Sequence, residues 1–216
     1  YDILQPDLNK DVDIIVEGAF LHNNPIPAVG DFSNGLTKGV IEGAGTASDT
    51  LMVALQARQD CRGATHGYVD EEFMVVNEYF LEDTSLKCRG FDGRVLRGLK
   101  IAVDDDSAYT LLDDVVSFQV QYGITDNIAS QDNSARPVKF IEADLLGAEK
   151  AAGSLVVAIR IALLLKADSD LLINPVPKFK LLNEDPIQPS EKRLYKQFET
   201  TITLRNSKNF ARSRNI

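Results

Sequence analysis

Alternation of side chains along several segments is the feature that most limits what this chain can fold into. Val116, Phe118, Val120 and Tyr122 recur at every second position, and the segment 198–204 alternates in the same way. Successive side chains of a strand point to opposite faces, so this pattern predicts half-buried β-strands. The segment 51–55 alternates too, and 73–81 is aromatic and β-branched enough to form another strand.

The arrangement of these strands follows from what separates them. The run Leu155–Leu165 is almost continuously apolar, which predicts a central strand covered on both faces. Turns rich in Asp and Gly lie between the strands, and this order favours antiparallel sheets over repeated βαβ units. Glu, Ala and Leu dominate Phe140–Lys150, which predicts a short helix there. The sequence therefore predicts an α+β fold dominated by antiparallel sheets.

A single domain over residues 1–216 is the expected organisation. The chain is 44% apolar and 25% charged, as in ordinary soluble globular proteins, and a chain of this length buries roughly 70% of its unfolded surface. Gly, Pro, Asn and Ser are frequent in residues 21–49, so the stretch 1–49 is expected to be irregular rather than a packed element. Within it, the apolar segment Val12–Phe20 leaves helix and strand open. The sequence holds no run of 18 uncharged apolar residues.

Charge is distributed unevenly along the chain. Residues 1–150 carry 12 basic and 26 acidic side chains, a charge of −14, whereas residues 151–216 carry 11 basic and 6 acidic ones, a charge of +5. An acidic body and a basic C-terminal segment can steer association with copies or relatives of the chain, which makes Arg193, Lys196 and Arg205 candidate partner contacts. A solvated tail is the alternative. Nucleic-acid binding is not favoured because the body would repel phosphate.

The two cysteines, Cys61 and Cys88, lie in similar contexts, since each is followed by Arg and Gly. An even count in matched contexts indicates one disulfide, which would place the chain in an oxidising compartment such as the periplasm. Two buried free thiols in a cytosolic protein are the alternative. A metal site is not favoured because there is no CxxC motif and only two histidines.

Motifs of catalysis and cofactor binding are missing from the sequence. Gly43-Ala44-Gly45 begins like a dinucleotide fingerprint, but Ser48 stands at the third glycine position and no strand precedes it. A Walker loop, a nucleophile elbow and an HExxH helix do not occur. His66, with Asp70 nearby, lies in a segment typical of a flexible loop tip. We expect neither enzymatic activity nor a cofactor.

Weak candidates for calcium binding are Asp126 and Asp132, in the loop from Thr125 to Ser134. The loop does not match an EF-hand, because Gln131 occupies the sixth position, where the sharp turn requires Gly. The acidic run Asp104–Asp106 fails in the same way. Solvated turns are the favoured interpretation of both loops, and no metal is predicted.

A lone charge, Arg160, interrupts the apolar run Leu155–Leu165. A buried guanidinium needs a carboxylate or carbonyl partner. We therefore predict a structural ion pair at Arg160 rather than a substrate clamp.

Several short segments, taken in order, give the chain a resemblance to a known family. From about Gly45 to Asn206 it resembles the PilW family of type IV pilus minor pilins. The segments that carry the resemblance are Ser48-Asp49-Thr50-Leu51, Asp60-Cys61-Arg62-Gly63, 75–81, Leu86-Lys87-Cys88-Arg89-Gly90, 112–123, 156–164, Arg193-Leu194-Tyr195 and 198–206.

The resemblance implies a non-enzymatic subunit with a pilin-like head. It implies an N-terminal apolar helix that enters the inner membrane and is cleaved by prepilin peptidase, and we expect that helix to lie outside this sequence. The implied partners are other minor pilins, the major pilin and a tip adhesin, in a complex that primes pilus assembly and sits at the pilus tip. Export to the periplasm makes the Cys61–Cys88 disulfide the default expectation.

Other functions stay open at this point. The role resembles that of pseudopilin J of type II secretion, which is one alternative. A secreted binding module for calcium, glycan or DNA is another, using the acidic loops or the basic C-terminal segment. Such a module predicts a ligand-dependent change in stability, whereas an assembly subunit predicts copurification with other pilins.

Overall fold

The computed structural model describes residues 25–29, 39–96, 107–126, 136–170 and 175–204. These residues contain eight strands, which form two four-stranded sheets, and two short helices. The elements are β1 (Leu51–Ala57), β2 (Phe73–Glu82), β3 (Ser85–Asp92), α1 (Gly93–Leu96), β4 (Tyr109–Leu112), β5 (Val115–Ile124), β6 (Lys139–Ile141), α2 (Ala143–Ala151), β7 (Val156–Asp170) and β8 (Arg193–Thr203). The predicted antiparallel, sheet-dominated fold with a short helix is confirmed.

The first sheet has the strand order β1-β2-β3-β4. Strands β1 and β2 are antiparallel, with Leu51 opposite Tyr79 and Ala57 opposite Phe73. A tight turn joins β2 to β3, and its first residue, Asp83, has a φ of 57°. Asp is one of the few residues other than Gly that adopt this left-handed conformation at low cost, so the sequence suits the hairpin.

The second sheet has the order β6-β5-β7-β8, and all its strand pairs are antiparallel. Tyr122 on β5 lies opposite Ile159 on β7, and Leu163 on β7 lies opposite Phe198 on β8. Strand β7 is therefore an inner strand, as its continuous apolar sequence predicts.

Both faces of this second sheet bury apolar side chains. On one face, Phe118, Val120 and Tyr122 of β5 are almost completely buried. On the opposite face, Ala162 and Leu164 of β7 pack with Leu181, which lies in the connection between β7 and β8. Covering on both faces is the reason that β7 carries a single polar side chain, Arg160, between Val156 and Leu165.

The stretch rich in Gly and Pro that precedes β1 is more ordered than the sequence suggests. Its described residues, 25–29 and 39–49, form no helix or strand. However, Ile26, Ala28 and Val40 are buried, and Ala28 forms a parallel bridge to Val40. A few buried apolar side chains therefore anchor these residues although they form no regular element, and the irregular character of the stretch 1–49 as a whole stays a prediction.

The chain divides into two compact units. One comprises Tyr1–Val40, Leu51–Tyr79 and Lys87–Tyr109, and the other comprises Ile41–Thr50, Phe80–Leu86 and Thr110–Ile216. A single domain over 1–216 stays a prediction. In the described ranges neither helix has the length and apolar character that crossing a bilayer requires.

Candidate partner-binding surface

Strand β8 exposes more apolar surface than its strand neighbours. Leu194, Phe198 and Ile202 are 48%, 44% and 47% exposed, although each is a large apolar side chain. All three occupy even positions of one strand and therefore lie on the same face of the sheet. An exposed apolar row of this kind marks a surface that can contact a partner.

Among the described residues, no strand pairs with the outer edge of β8. The N–H of Leu204, just after the strand, donates to the carbonyl of Val157 at 2.8 Å, and Thr203 lies opposite Ala158. In an antiparallel pair, residues alternate between bonding to the neighbouring strand and pointing away from it. Even-numbered residues from 196 to 202 therefore bond to β7. Odd-numbered residues from 197 to 203 direct their N–H and C=O groups outward, and those groups bond to no other backbone group among the described residues.

Two of the three predicted basic contacts lie on this strand, but on opposite faces. Arg193 is held by acids: one guanidinium nitrogen lies 3.4 Å from Asp170 Oδ1, and another lies 4.0 Å from Glu191 Oε2. Lys196 lies on the same face as the exposed apolar row, with its Nζ 4.9 Å from the centroid of the Phe198 ring. The third candidate, Arg205, lies outside the described residues.

Arg160 on β7 has the acidic partner that the sequence predicts. Its Nε lies 3.7 Å from Glu199 Oε1 on β8. The guanidinium carbon also lies 3.9 Å from the centroid of the Phe140 ring, which a sequence pattern does not reveal. The Nε makes no hydrogen bond with a described group, so the guanidinium has two neighbours at similar distances, a carboxylate at 3.7 Å and an aromatic ring at 3.9 Å.

Cys61 and Cys88 are joined by a disulfide, with their Cα atoms 6.4 Å apart. The pairing ties the loop after β1 to the centre of β3. Next to it, the N–H of Cys61 donates to Asn77 Oδ1 at 3.0 Å, so β2 also holds this loop. No free cysteine is present.

Asp60, the residue before Cys61, organises the same loop. Its side chain is fully buried and accepts hydrogen bonds from the backbone N–H groups of Arg62 and Ala64, at 2.7 and 3.0 Å. The Arg62 guanidinium donates to the same carboxylate at 2.9 Å and to the carbonyl of Gly90 at 3.1 Å. Burial raises the pKa of Asp60, but these bonds outweigh it and the net shift is downward.

His66 is part of this arrangement and not a free loop tip. Its Nε2 lies 2.9 Å from Asp60 Oδ2, and its ring meets the Phe73 ring edge-on at 5.7 Å. The acid beside His66 is therefore Asp60 and not Asp70. A ring used in this way holds the loop in place.

The predicted calcium candidates fall largely beyond the described ranges. Asp126 is described and exposed, whereas Asp132 and Asp104–Asp106 lie outside the described residues. In the part of the chain that the structure describes, no group of three acidic, His or Cys side chains has the geometry to hold a metal ion.

A buried acidic cluster, which the sequence does not predict, lies where residues 42–49 meet β5 and α2. Asp49 is 2% exposed, and its two carboxylate oxygens accept the N–H groups of Gly43 at 2.8 Å and Val120 at 2.6 Å. Glu42 accepts the N–H of Ala143, the first residue of α2, at 2.9 Å. Because the N-cap residue makes no side-chain cap bond, Glu42 acts as the cap of α2 from 101 residues away.

Burial and neighbouring acids make this cluster bind protons tightly. Burial raises the pKa of Glu42 to about 8, and the charges of Asp49, Glu184 and Glu142 add to the effect, against the bond from Ala143. Burial likewise raises the pKa of Asp49 to about 6. Glu184, hydrogen-bonded to Glu42, has its pKa raised by burial as well. Ionising two carboxyl groups in contact is unfavourable, so the raised pKa values make the stability of this cluster depend on pH.

Comparison with known proteins identifies the family. A family model described as "Type IV Pilus-assembly protein W" (PilW) matches residues 72–206. Among solved structures, the chain is similar to a type IV-like pilin from Thermus thermophilus, with 12% sequence identity, a TM-score of 0.43, and coverage of 77% of this chain and 83% of that chain. Among curated proteins none matches. The family match spans more than half of the sequence, from β2 to just beyond β8, and the chain belongs to the PilW family of type IV pilus-assembly proteins.

Proposed function

We propose that this chain is the head of a non-enzymatic minor pilin that helps to prime type IV pilus assembly and sits in the tip complex. Its partners in this proposal are other minor pilins, the major pilin and a tip adhesin. The PilW match over residues 72–206 is the observation that carries the proposal. The exposed apolar row and outer edge of β8 support it, because an assembly subunit needs surface committed to neighbouring subunits.

The proposed location is the periplasmic side of the inner membrane, followed by the pilus outside the cell. The disulfide between Cys61 and Cys88 supports export, since disulfides persist in oxidising compartments and are rare in the cytosol. Membrane attachment in this proposal is through an N-terminal apolar helix.

The carboxyl and imidazole side chains that are chemically best suited to catalysis are engaged in bonds within the fold, which supports a structural role for this chain. Asp60 and His66 are bonded to each other and to backbone groups of their own loop. The half-buried Glu42 holds the start of α2, and the buried Asp49 holds the centre of β5. In each case the polar atoms are used to hold the fold together.

The proposal is tested by deleting the gene in its own bacterium and measuring surface pili and twitching motility. We expect piliation to fall and the wild-type gene to restore it. The full-length protein should also copurify with other minor pilins from detergent-solubilised inner membranes. Normal piliation in the deletion strain, together with a protein that copurifies with no pilin, contradicts the proposal.

The same strains separate the other assignments. Defective secretion with intact pili would identify a type II secretion pseudopilin instead. A thermal melt of the head with and without Ca²⁺ tests the calcium-binding module, because a ligand at 100 times its dissociation constant stabilises a fold by about 2.7 kcal/mol. An unchanged melting temperature removes that alternative.

A further inference from the structure

The edges of the two sheets differ greatly in length and cover. In the second sheet, β6 has three residues and β8 has eleven. In the first sheet, β4 has four residues, and β1 has seven with one of its N–H groups, that of Ala54, bonded to the carbonyl of Pro25. At about 3.3 Å per residue, β8 presents an edge about 36 Å long.

Soluble proteins usually protect such an edge with proline, a bulge, inward-pointing charges or a covering loop. From Lys196 to Thr203 the strand contains no proline, and its pairing with β7 shows no register shift. Its outward backbone groups belong to Gln197, Glu199, Thr201 and Thr203, so at least four consecutive ladder positions are available to an added strand.

We infer that the outer edge of β8 receives an extended strand from another pilus subunit, with an acidic side chain of that strand opposite Lys196. This inference rests on the proposed function and names the surface that it uses. The backbone groups of the ladder supply the pairing, and the side-chain row supplies the selectivity.

Charge complementarity selects the occupant. Three charged side chains lie along β8, and two of them have opposite charges within reach: Arg193 has Asp170, and Glu199 has Arg160. Lys196 makes no ion pair with any described residue, and its ammonium lies on the exposed face between Leu194 and Phe198. An added strand that brings a carboxylate opposite Lys196 and apolar side chains opposite Phe198 and Ile202 pairs the charge and covers the apolar side chains of this row.

Because of the alternation along β8, a residue whose N–H points outward can be changed without disturbing the pairing of β8 with β7. Thr201 has its N–H directed outward, so a proline there removes no bond to β7. The variant Thr201→Pro therefore blocks strand addition and leaves the sheet paired. Thr201→Ala is the matched control, because it removes the same side chain and keeps the N–H group.

The test places a photo-crosslinking benzoylphenylalanine at Phe198 of the full-length protein in its own piliated cells. Crosslinked products from sheared pili are identified by mass spectrometry, and the amount of the protein in those pili is measured alongside. We expect an adduct with an extended acidic segment of another pilus subunit. Its yield should fall about tenfold in Thr201→Pro and in Lys196→Glu, and should be unchanged in Thr201→Ala.

Thermal unfolding of the isolated head measures whether Thr201→Pro still folds, and Lys196→Glu tests the same surface without a backbone change. An adduct that persists in Thr201→Pro and Lys196→Glu overturns the inference, as does an adduct with a second copy of this chain. A protein that enters pili but gives no adduct overturns strand addition alone. A protein absent from pili overturns the proposed function as well.

Discussion

The N–H of Val120, at the centre of β5, donates to a carboxylate oxygen of Asp49 at 2.6 Å, across 71 residues of sequence. The Asp49 N–H in turn donates to the carbonyl of Phe118 at 2.9 Å. A single acidic residue therefore fixes the segment before β1 to the backbone of β5. Two buried N–H groups depend on its carboxylate, since Gly43 donates to the other oxygen.

Replacing Asp49 with Asn should destabilise the protein by about 1–3 kcal/mol. An amide has one acceptor oxygen, so one of the two N–H groups, of Gly43 or Val120, loses its partner and faces an NH₂ group instead. Urea unfolding of the isolated head measures the loss. Asp168→Asn is the matched control, because that side chain is exposed, and it should change the stability by less than about 0.5 kcal/mol. Equal effects of both variants would contradict the role of Asp49.

The pH dependence of stability should have the opposite sign to that of a protein held together by ion pairs. Burial raises the pKa of Glu42 from 4.5 to about 8, so between those values the folded state binds more protons than the unfolded state. The contribution of Glu42 to stability is therefore full below pH 4.5 and is lost as the pH rises to about 8. Asp49, with its pKa raised to about 6, acts in the same direction over a lower range.

Urea unfolding at pH 5 and at pH 8.5 tests this. The midpoint should be lower at pH 8.5, and Glu42→Gln should reduce the difference, because the amide mimics the protonated acid. Asp60 has the opposite sign: its pKa is lowered, so its contribution is present above pH 3.8 and is lost in stronger acid. A wild-type midpoint that rises from pH 5 to pH 8.5 would refute the effect of the acidic cluster.

Five of the eight described strands are predicted from the sequence, because each of these five carries its own local pattern. Strand β7 is apolar from Val156 to Leu165 apart from Arg160, and β5 and β8 alternate. By contrast, β3, β4 and β6 were not predicted. The segment Ser85–Asp92 has no clear alternation, and it is held by the disulfide at Cys88 and by the Arg62 bond to Gly90. Contacts of this kind join residues far apart and leave no local pattern.

The acidic cluster was missed for the same reason. Glu42 and Asp49 lie in a Gly-rich segment whose composition predicts a loop, and no spacing links them to Ala143 or Val120. The outer edge of β8 was only partly predictable. The basic residues were visible in the sequence. The structure shows that one strand runs through both Arg193 and Lys196, and its alternation places Lys196 on the exposed apolar face and Arg193 on the opposite face.

Gly90 is required by how closely Asp60 approaches it. A methyl group added at Gly90 would overlap the Asp60 side chain, which cannot move without losing its bonds to Arg62 and Ala64. Gly90→Ala should therefore cost about 1–3 kcal/mol. Gly147→Ala is the control, because it lies in α2 with open space around it and should stabilise the fold by up to about 1 kcal/mol. Chemical unfolding of both variants measures the change in the free energy of unfolding. If Gly90→Ala is as stable as the wild type, the loop around Asp60 can shift to accommodate the methyl group.

The disulfide should contribute about 3–4 kcal/mol, since it closes a loop with a sequence separation of 27 residues. The double variant Cys61→Ser with Cys88→Ser should lower the urea midpoint by the corresponding amount, and a reducing agent should do the same to the wild type only. Alkylation of the unfolded, unreduced protein should add no label, as measured by mass. Uptake of two equivalents would show that both thiols are free and would remove the support for export.

The last prediction concerns which contact of Arg160 stabilises the second sheet more. Its guanidinium lies over the Phe140 ring at 3.9 Å, whereas its distance to Glu199 is 3.7 Å with both side chains about a third to a half exposed. Exposed ion pairs contribute about 0–1 kcal/mol and are screened by salt, while a stacked guanidinium contributes about 0.5–2 kcal/mol. Phe140→Leu should therefore destabilise the fold more than Glu199→Gln, and the difference should persist in 1 M salt, where the Debye length is about 3 Å. Arg160→Lys keeps the charge and loses the planar stacking, so its effect should follow that of Phe140→Leu. If Glu199→Gln proves the more damaging of the two at low salt, the ion pair and not the ring is what retains Arg160 in an apolar strand.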